Sequence, residues 1–241
     1  MGNLLDRMKR RVLAGDLLLK EDAMQLAELP LEPLCEAADE IREVFCGKRF
    51  DLCTIINGKN GKCSEDCKYC AQSAFYSTEV ESYPLLKTDQ LLEQAKYNAE
   101  RGVMRYSIVT SGKRLDDGEV EAVCKSIRAI RENVDISVCV SFGLLDEMAF
   151  RKIKEAGACR VHNNLESSRN YFREVCTTHS YEEKIETVKA AKRAGLSVCS
   201  GGIVGLGETM EDRIDLALTV RDLGVRSIPV NMLNPIPGTP Y

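Results

Sequence analysis

The chain has 241 residues, of which 44% are hydrophobic, and a formal net charge of −4, so it is long enough for one sizeable core. This near balance of charge gives no reason to expect nucleic acid or an anionic membrane surface as a partner, and no apolar run approaches the roughly 18–20 residues that span a bilayer. The eleven cysteines are odd in number and no apolar signal segment precedes them, which argues against a disulfide framework and for the reducing cytoplasm.

Residues 1–50 are predicted to form an N-terminal helical segment. Apolar residues recur at helical spacing between positions 4 and 13 and again between 34 and 44. Pro30 and Pro33 are expected to separate the helices, because proline interrupts a helical interior. The segment therefore precedes the main domain as a helical layer.

Residues 51–241 alternate between short β-forming runs and amphipathic stretches. Strands are predicted at 51–57, 104–110, 134–141, 158–163, 196–203 and 226–231, and helices at 88–101, 117–131, 145–156, 180–194 and 210–223. Repeated strand–helix units imply parallel strands in an α/β fold, and their regular succession predicts a TIM-type (β/α) barrel. Glycine follows several of these helices, as in left-handed helix caps, at Gly102, Gly157, Gly195 and Gly224.

The predicted barrel contains about six of the eight units of a complete barrel, which takes about 250 residues. The sequence ends just after the sixth predicted strand, in a proline-containing loop. A sheet edge left there would be open to pairing with other chains. We therefore expect the sequence to be a fragment lacking its C-terminal quarter, with a naturally open barrel as the alternative.

The loop that follows the first strand contains three cysteines in a stretch of eight residues, Cys63, Cys67 and Cys70, spaced C-x3-C-x2-C. Barrels place catalytic groups in such loops. Thiolates this close together suit one soft metal centre. Three ligands are one short of a closed structural zinc site, whereas an iron–sulfur cube held by three cysteines keeps one iron open. The pattern favours an open cluster over the alternative, a zinc site with a remote fourth ligand.

With Tyr69 before its third cysteine, this motif resembles that of the radical S-adenosylmethionine superfamily. The resemblance implies a [4Fe-4S] cluster whose open iron binds S-adenosylmethionine (SAM). It also implies that an electron from the cluster cleaves the cofactor to a 5′-deoxyadenosyl radical. The tasks left to the protein are to exclude water and to aim that radical.

A narrower resemblance, to the biotin synthase family, rests on five segments in order between residues 50 and 241: 62–73, 162–168, 176–181, 198–208, and 229–233 with 238–240. One such motif would be weak, but five in order are specific. The resemblance implies a sulfurtransferase that inserts sulfur into dethiobiotin to form biotin. It also implies an auxiliary iron–sulfur cluster as the sulfur source, a flavodoxin- or ferredoxin-type electron donor, and a homodimer.

The resemblance assigns two auxiliary-cluster ligands, Cys139 and Cys199. The family's [2Fe-2S] form uses three cysteines and one arginine, but here Ser107 occupies one cysteine position and the sequence ends before the arginine position. Because a serine oxygen is a poor ligand for iron–sulfur, we hypothesise that Cys53 on the first strand supplies the missing thiolate. The auxiliary cluster would then be [2Fe-2S] or a variant. The alternative is that these cysteines only pack as small apolar side chains.

The same resemblance assigns residues to the cofactor and the substrate. Around SAM it implies Tyr69, Asn164, Glu166, His179, Gly201, Gly202, Ile203 and Val204. Missing Cβ atoms would let the glycine backbone approach a ligand. Asn164 and Asn231 are implied as substrate contacts, because an amide can both donate to and accept from a cyclic urea; turn capping is the other common role of asparagine.

Two other functions stay open at this point. One is another radical SAM enzyme of the same subgroup, a maturase or a mutase, against which Asn231 and the pair Cys139 and Cys199 argue. The other is a non-enzymatic domain stabilised by zinc.

Overall fold

The computed structural model describes residues 2–241 and begins with three helices, α1 (Gly2–Leu13), α2 (Lys20–Ala27) and α3 (Leu31–Cys46). Pro30 separates α2 from α3, as predicted, but the prediction that Pro33 also separates helices was wrong. Pro33 lies in the first turn of α3, where its missing N–H would have had no intrahelical acceptor. Buried Met8 and Ala37 mark the contact between α1 and α3.

Five parallel strands form the main sheet in sequence order: β1 (Cys53–Lys59), β2 (Arg105–Thr110), β3 (Ser137–Ser141), β4 (Arg160–His162) and β5 (Ser197–Cys199). Two further parallel strands, β6 (Gly202–Val204) and β7 (Val230–Met232), pair with each other. Single parallel bridges continue the arrangement, from Glu166 to Gly202 and from Cys199 to Ser227. The predicted α/β class with parallel strands is confirmed.

The predicted strand at 196–203 is interrupted at Ser200 and Gly201, which separates β5 from β6. At the break, Ser200 N donates to the carbonyl of Ser227, and Gly201 N donates to the Asn164 side chain at 3.0 Å. The strand therefore exchanges its backbone partners at this point, a change that depends on residues distant in sequence.

Six helices follow the first strand: α4 (Thr88–Ala99), α5 (Asp117–Asn133), α6 (Glu147–Glu155), α7 (Phe172–Val175), α8 (Tyr181–Arg193) and α9 (Met210–Asp222). The sequence did not predict α7, because four residues are too few for a periodic pattern. Reciprocal capping boxes begin the long helices α5, α8 and α9. The four glycines predicted as helix caps all have positive φ. No helix within residues 2–241 is long and apolar enough to cross a membrane.

The core lies between the sheet and the helices. Alternate strand residues such as Tyr106, Ile108 and Val140 are fully buried in it. Because successive side chains point to opposite faces of a strand, the residues between them face the concave side. There Ser107 and Cys139 line a pocket. The helices thus cover one face of the sheet and leave the other for the site.

Candidate active site

The loop carrying Cys63, Cys67 and Cys70, residues 61–76, is folded on itself; we call it the cluster loop. Cys63 N donates to the Gln72 carbonyl at 2.9 Å, and the Cys63 carbonyl accepts from Ala74 N at 2.8 Å. Cys70 N donates to the Cys67 carbonyl at 3.0 Å. The three thiols, each partly exposed, are therefore presented by an ordered turn.

The cluster loop is held by a second loop, Cys176-Thr177-Thr178-His179, which we call the anchor loop. Thr177 N and Thr178 N donate to the Asp66 carboxylate at 2.8 and 3.2 Å. The Thr177 hydroxyl also donates to this carboxylate. The sequence assigned only His179 from this loop to the site and missed Asp66. The only sequence feature that could have indicated this contact was the position of Asp66 within the cysteine motif, three residues after Cys63.

Glu65, the neighbour of Asp66, makes a parallel set of contacts. Its Oε2 accepts from the Thr178 hydroxyl at 2.8 Å and from His179 Nδ1 at 2.6 Å. His179, assigned above to the cofactor, is therefore buried against the cluster loop. The hydrogen bond between His179 and Glu65 therefore joins the anchor loop directly to the cluster loop.

These contacts set the protonation of the two carboxylates. Burial by itself would raise the pKa of Asp66, but the donors on Thr177 hold that pKa well below its usual range. Burial opposes ionisation of Glu65 as well, and the Thr178 and His179 hydrogen bonds again give a net lowering of its pKa. Both side chains are therefore held as anions by the anchor loop.

The pKa values of two cluster-loop thiols, Cys67 and Cys70, are raised. A hydrogen bond to Cys176, and then burial, raise the pKa of Cys67, and burial is the main cause for Cys70. In the metal-free chain these groups hold their protons, which metal binding must release. Cys176, which the sequence left without a role, therefore belongs to the surroundings of the cluster motif.

Glu166 has the features of a ligand-binding residue. Its backbone is left-handed, with φ of 71°, which is strained for a side chain of this size. Its buried Oε2 has no hydrogen-bond partner within residues 2–241, and Lys184 Nζ lies 4.0 Å from Oε1. Tyr69 is close to it, since burial, and next the negative charge of Glu166, raise the pKa of that hydroxyl. A buried free acceptor of this kind fits a cofactor hydroxyl or amino group.

Asn164 and the two glycines also meet at this end of the sheet. The Asn164 Oδ1 accepts from Gly201 N at 3.0 Å. A Cβ on Gly201 would lie 1.8 Å from the Pro229 carbonyl oxygen, and one on Gly202 would lie 2.5 Å from that of Glu166. The two glycines thus allow neighbouring backbone segments to approach closely, a requirement that the sequence reasoning had attributed to a ligand.

Ile203 and Val204 lie in β6 and continue this surface. Ile203 N donates to the Glu166 carbonyl at 2.9 Å. Asn231, in β7, pairs in register with Ile203 and is exposed. The structure therefore brings Asn164, Glu166, Gly201, Gly202 and Ile203 together and places Asn231 one strand away.

Beyond β6 the chain turns around Glu208, which the sequence did not assign. Its carboxylate accepts from Gly205 N at 2.8 Å and from Leu206 N at 2.7 Å. Arg213 donates to it at 2.6 Å. This buried carboxylate therefore fixes the turn that follows β6.

A second group of thiols lies on the concave face of the main sheet. A pocket of about 240 Å³ there is lined by Asp51, Cys53, Ile55, Arg105, Ser107, Val109, Cys139, Arg160, His162, Cys199 and Ser227. The register aligns Ile55, Ser107 and Cys139 across three strands. The four residues predicted for an auxiliary site, Cys53, Ser107, Cys139 and Cys199, therefore share one pocket.

Neighbouring thiols of this concave pocket affect the pKa of Cys53 and Cys139. Burial raises the pKa of Cys139 to about 12; the Ser107 hydroxyl opposes this rise, and the nearby Cys53 and Cys199 add to it. Burial raises the pKa of Cys53 too, while Arg105 lowers it. The three thiols thus influence one another across the pocket.

Two arginines in the concave pocket were missed by the sequence reasoning. The buried Arg105 Nε has no partner within residues 2–241, and Arg160 donates to the Ser227 hydroxyl at 3.4 Å. Arg105 precedes Ser107 by two residues, and residues two apart on a strand point to the same face. This spacing could have placed Arg105 in the pocket from the sequence. Guanidinium groups offset the negative charge of thiolates and sulfide, so the donor set fits an iron–sulfur cluster.

Comparison with known proteins gives the family. Residues 59–220 match the family model of the Radical SAM superfamily. A biotin synthase of Akkermansia muciniphila is 58% identical over 239 residues, which cover 99% of this chain and 74% of that relative. A biotin synthase of Brachyspira hyodysenteriae is 54% identical over 237 residues, which cover 98% of this chain and 71% of that relative.

Solved structures share the fold at low sequence identity. Methylornithine synthase superimposes with a TM-score of 0.84 at 21% identity, covering 96% of this chain and 69% of that one. The FeFe-hydrogenase maturase HydG from Carboxydothermus hydrogenoformans gives a TM-score of 0.80 at 20% identity, covering 98% and 58%. At this identity the likeness concerns the fold alone.

The superfamily match and the fold define an enzyme of the radical SAM class, which carries a [4Fe-4S] cluster and uses SAM. The relatives narrow this class, and the chain belongs to the biotin synthase family. The resemblance that the motifs predicted is confirmed.

Proposed function

We propose that the chain catalyses the insertion of sulfur into dethiobiotin to form biotin. One observation carries the proposal: two separate groups of three thiols lie on one fold, Cys63, Cys67 and Cys70 on the cluster loop and Cys53, Cys139 and Cys199 in the concave pocket. A single radical cluster needs only the first group. The relatives named biotin synthase supply the chemical context for the second.

Cys63, Cys67 and Cys70 would hold the [4Fe-4S] cluster. When bound, the cluster and SAM supply one-electron chemistry strong enough to remove hydrogen from an unactivated carbon. The chain's own part is to keep the cluster loop in place, through Asp66 and the anchor loop. It must also keep water from the reacting groups.

Glu166 and Tyr69 would orient the cofactor. The free, buried Glu166 Oε2 is an acceptor for a hydroxyl or amino group. The strained backbone at Glu166 is held on both sides, because Glu166 N donates to the Gly201 carbonyl at 3.1 Å and the Glu166 carbonyl accepts from Ile203 N at 2.9 Å. His179 would act from the other side, through Glu65 of the cluster loop.

Cys53, Cys139 and Cys199 would hold the auxiliary cluster, a [2Fe-2S] centre or a variant of it. Ser107 lies against Cys139 and would donate to its thiolate rather than bind iron, since hard oxygen ligands suit iron–sulfur poorly. Arg105 and Arg160 face the same pocket and supply positive charge beside the thiolates.

Asn164 and Asn231 would recognise the neutral ureido ring of the substrate. The Asn164 carbonyl is already occupied by Gly201 N, so its amide nitrogen is the group left to donate to a urea oxygen. Asn231 is exposed on β7 and offers both amide groups. The flavodoxin- or ferredoxin-type donor, the homodimer and the cytoplasmic location stay predictions of the resemblance.

The test is anaerobic reconstitution followed by iron and sulfide analysis, Mössbauer spectroscopy and a dethiobiotin turnover assay. The wild-type chain is expected to bind more iron than one [4Fe-4S] cluster holds and to form biotin. Cys53→Ala should lose the additional iron and the product while keeping the radical cluster. Cys35→Ser, at an exposed cysteine in α3, is the control and should change neither.

Two results would contradict the proposal. Unchanged iron and sulfide in Cys53→Ala would remove Cys53 from the ligand set. A wild-type chain that binds both clusters and cleaves SAM but yields no biotin would exclude the proposed reaction.

A further inference from the structure

We propose that Cys67, Cys176 and His179 form a binding site for a single zinc-type divalent ion in the cluster-free chain. One ligand atom from each of the three residues lies within 4.8 Å of the other two. These residues come from the cluster loop and the anchor loop. The ion site does not require sulfur insertion, whereas its competition with cluster assembly rests on the proposed role of Cys67 as a cluster ligand.

The distances suit a tetrahedral ion. Cys176 Sγ lies 3.2 Å from His179 Nδ1. For Zn–S of about 2.3 Å and Zn–N of about 2.0–2.1 Å, tetrahedral geometry separates sulfur and nitrogen by roughly 3.6 Å. A shift of a few tenths of an ångström would therefore admit the ion between these two ligands.

The surroundings hold the ligands in place before any ion binds. Cys176 N donates to the Phe172 carbonyl at 3.0 Å, and the Phe172 ring packs edge-on against His179 with centroids 5.5 Å apart. Cys176 and His179 are buried, so little side-chain entropy remains to be lost on binding. Glu65 Oε2, 2.6 Å from His179 Nδ1, is within reach of the fourth position.

The ligand chemistry selects the ion. Two thiolates and an imidazole favour zinc and its chemical relatives over magnesium or calcium, which prefer oxygen. Binding requires both sulfurs as thiolates and the neutral imidazole of His179 with its single proton on Nε2, so that Nδ1 is free to bind the ion. A cavity of about 270 Å³ is lined in part by Cys176 and His179 and offers an access route.

Because Cys67 would also hold the radical cluster, the ion and the cluster exclude each other. A thiolate already bound to zinc is unavailable to iron. The site therefore makes cluster assembly compete with zinc, and removing Cys176 should relieve that competition without removing a cluster ligand.

The first experiment titrates Co²⁺ into anaerobic, cluster-free chain and records the absorption bands of tetrahedral thiolate coordination. One equivalent is expected to bind. Cys176→Ser and Cys67→Ser should each weaken binding at least tenfold, whereas Cys63→Ser and Cys70→Ser should leave it within about twofold. Loss of the bands in Cys63→Ser or Cys70→Ser, with Cys176→Ser unchanged, would place the ion on the cluster motif and overturn the proposal.

The second experiment follows assembly of the [4Fe-4S] cluster after loading with one equivalent of Zn²⁺. The wild-type chain should assemble the cluster more slowly than zinc-free chain, and Cys176→Ser should not be slowed. Equal slowing in both would overturn the proposal. Cluster uptake by Cys176→Ser also reports that the variant is folded, and neither readout depends on biotin formation.

Discussion

The backbone N–H of Thr177 donates to the Asp66 carboxylate at 2.8 Å, although the two residues are 111 positions apart in sequence. This bond, with the neighbouring donors, makes the cluster loop and the anchor loop one structural unit. The geometry of the cluster loop therefore depends on a loop that carries none of the three motif cysteines.

Asp66→Asn should destabilise the chain and loosen the cluster loop. An amide replaces a carboxylate that accepts several hydrogen bonds, and we expect a loss of about 1–3 kcal/mol in the free energy of unfolding. Denaturant unfolding of the cluster-free chain under anaerobic conditions measures this. The control is Asp39→Asn, at an exposed salt bridge in α3, which should change stability by less than about 0.5 kcal/mol. If the two variants lowered the free energy of unfolding equally, the Asp66 contacts would not be what joins the two loops.

Stability should fall in acid partly because of Glu208. Burial alone would raise the pKa of Glu208, but the Gly205 N–H and Arg213 hold it below the ordinary value of 4.5. A lowered pKa adds stability that is present above that ordinary value and is lost as pH falls below it. Glu208→Gln should therefore be less stable at pH 7 by about 1–3 kcal/mol and should lose less on going to pH 4. Parallel pH profiles for the variant and wild type would contradict this.

Gly201→Ala should be strongly destabilising. The new Cβ would lie 1.8 Å from the Pro229 carbonyl oxygen, so backbone must move at the β5–β6 break. We expect a loss of about 2–4 kcal/mol, measured by denaturant unfolding. Gly118→Ala, where the nearest atom would lie 3.4 Å away, is the matched control and should change stability little. A similar small effect at both glycines would show that the strands can separate at no cost.

Glu166→Gln should weaken SAM binding without harming the fold. The substitution removes a buried carboxylate with a free oxygen, so stability should hold or rise by up to about 1 kcal/mol. Affinity for SAM, measured by equilibrium dialysis of the reconstituted chain, should fall at least tenfold, and iron content should not change. The control, Glu155→Gln, alters an exposed carboxylate at the end of α6. Unchanged affinity in Glu166→Gln would exclude this carboxylate as a cofactor contact.

Local patterns in the sequence were enough to predict much of the fold and part of the candidate site. The alternation of strands and helices, the glycine caps and the cluster motif all depend on residues close together in sequence. The spacing of Cys63, Cys67 and Cys70 was enough to predict a radical cluster, because one short loop supplies all three thiols. The family resemblance rests on motifs of the same local kind.

Contacts between distant segments could be read only from the folded chain. The break of the fifth predicted strand depends on Ser227 and Asn164, which lie on other segments. The concave pocket acquires Arg105 and Arg160 because parallel strands align side chains that no local pattern relates. Cys176 reaches Cys67 because the Asp66 hydrogen bonds draw their two loops together. Local motifs were thus enough to predict the class of chemistry, whereas packing between distant residues brings the further side chains around the predicted sites.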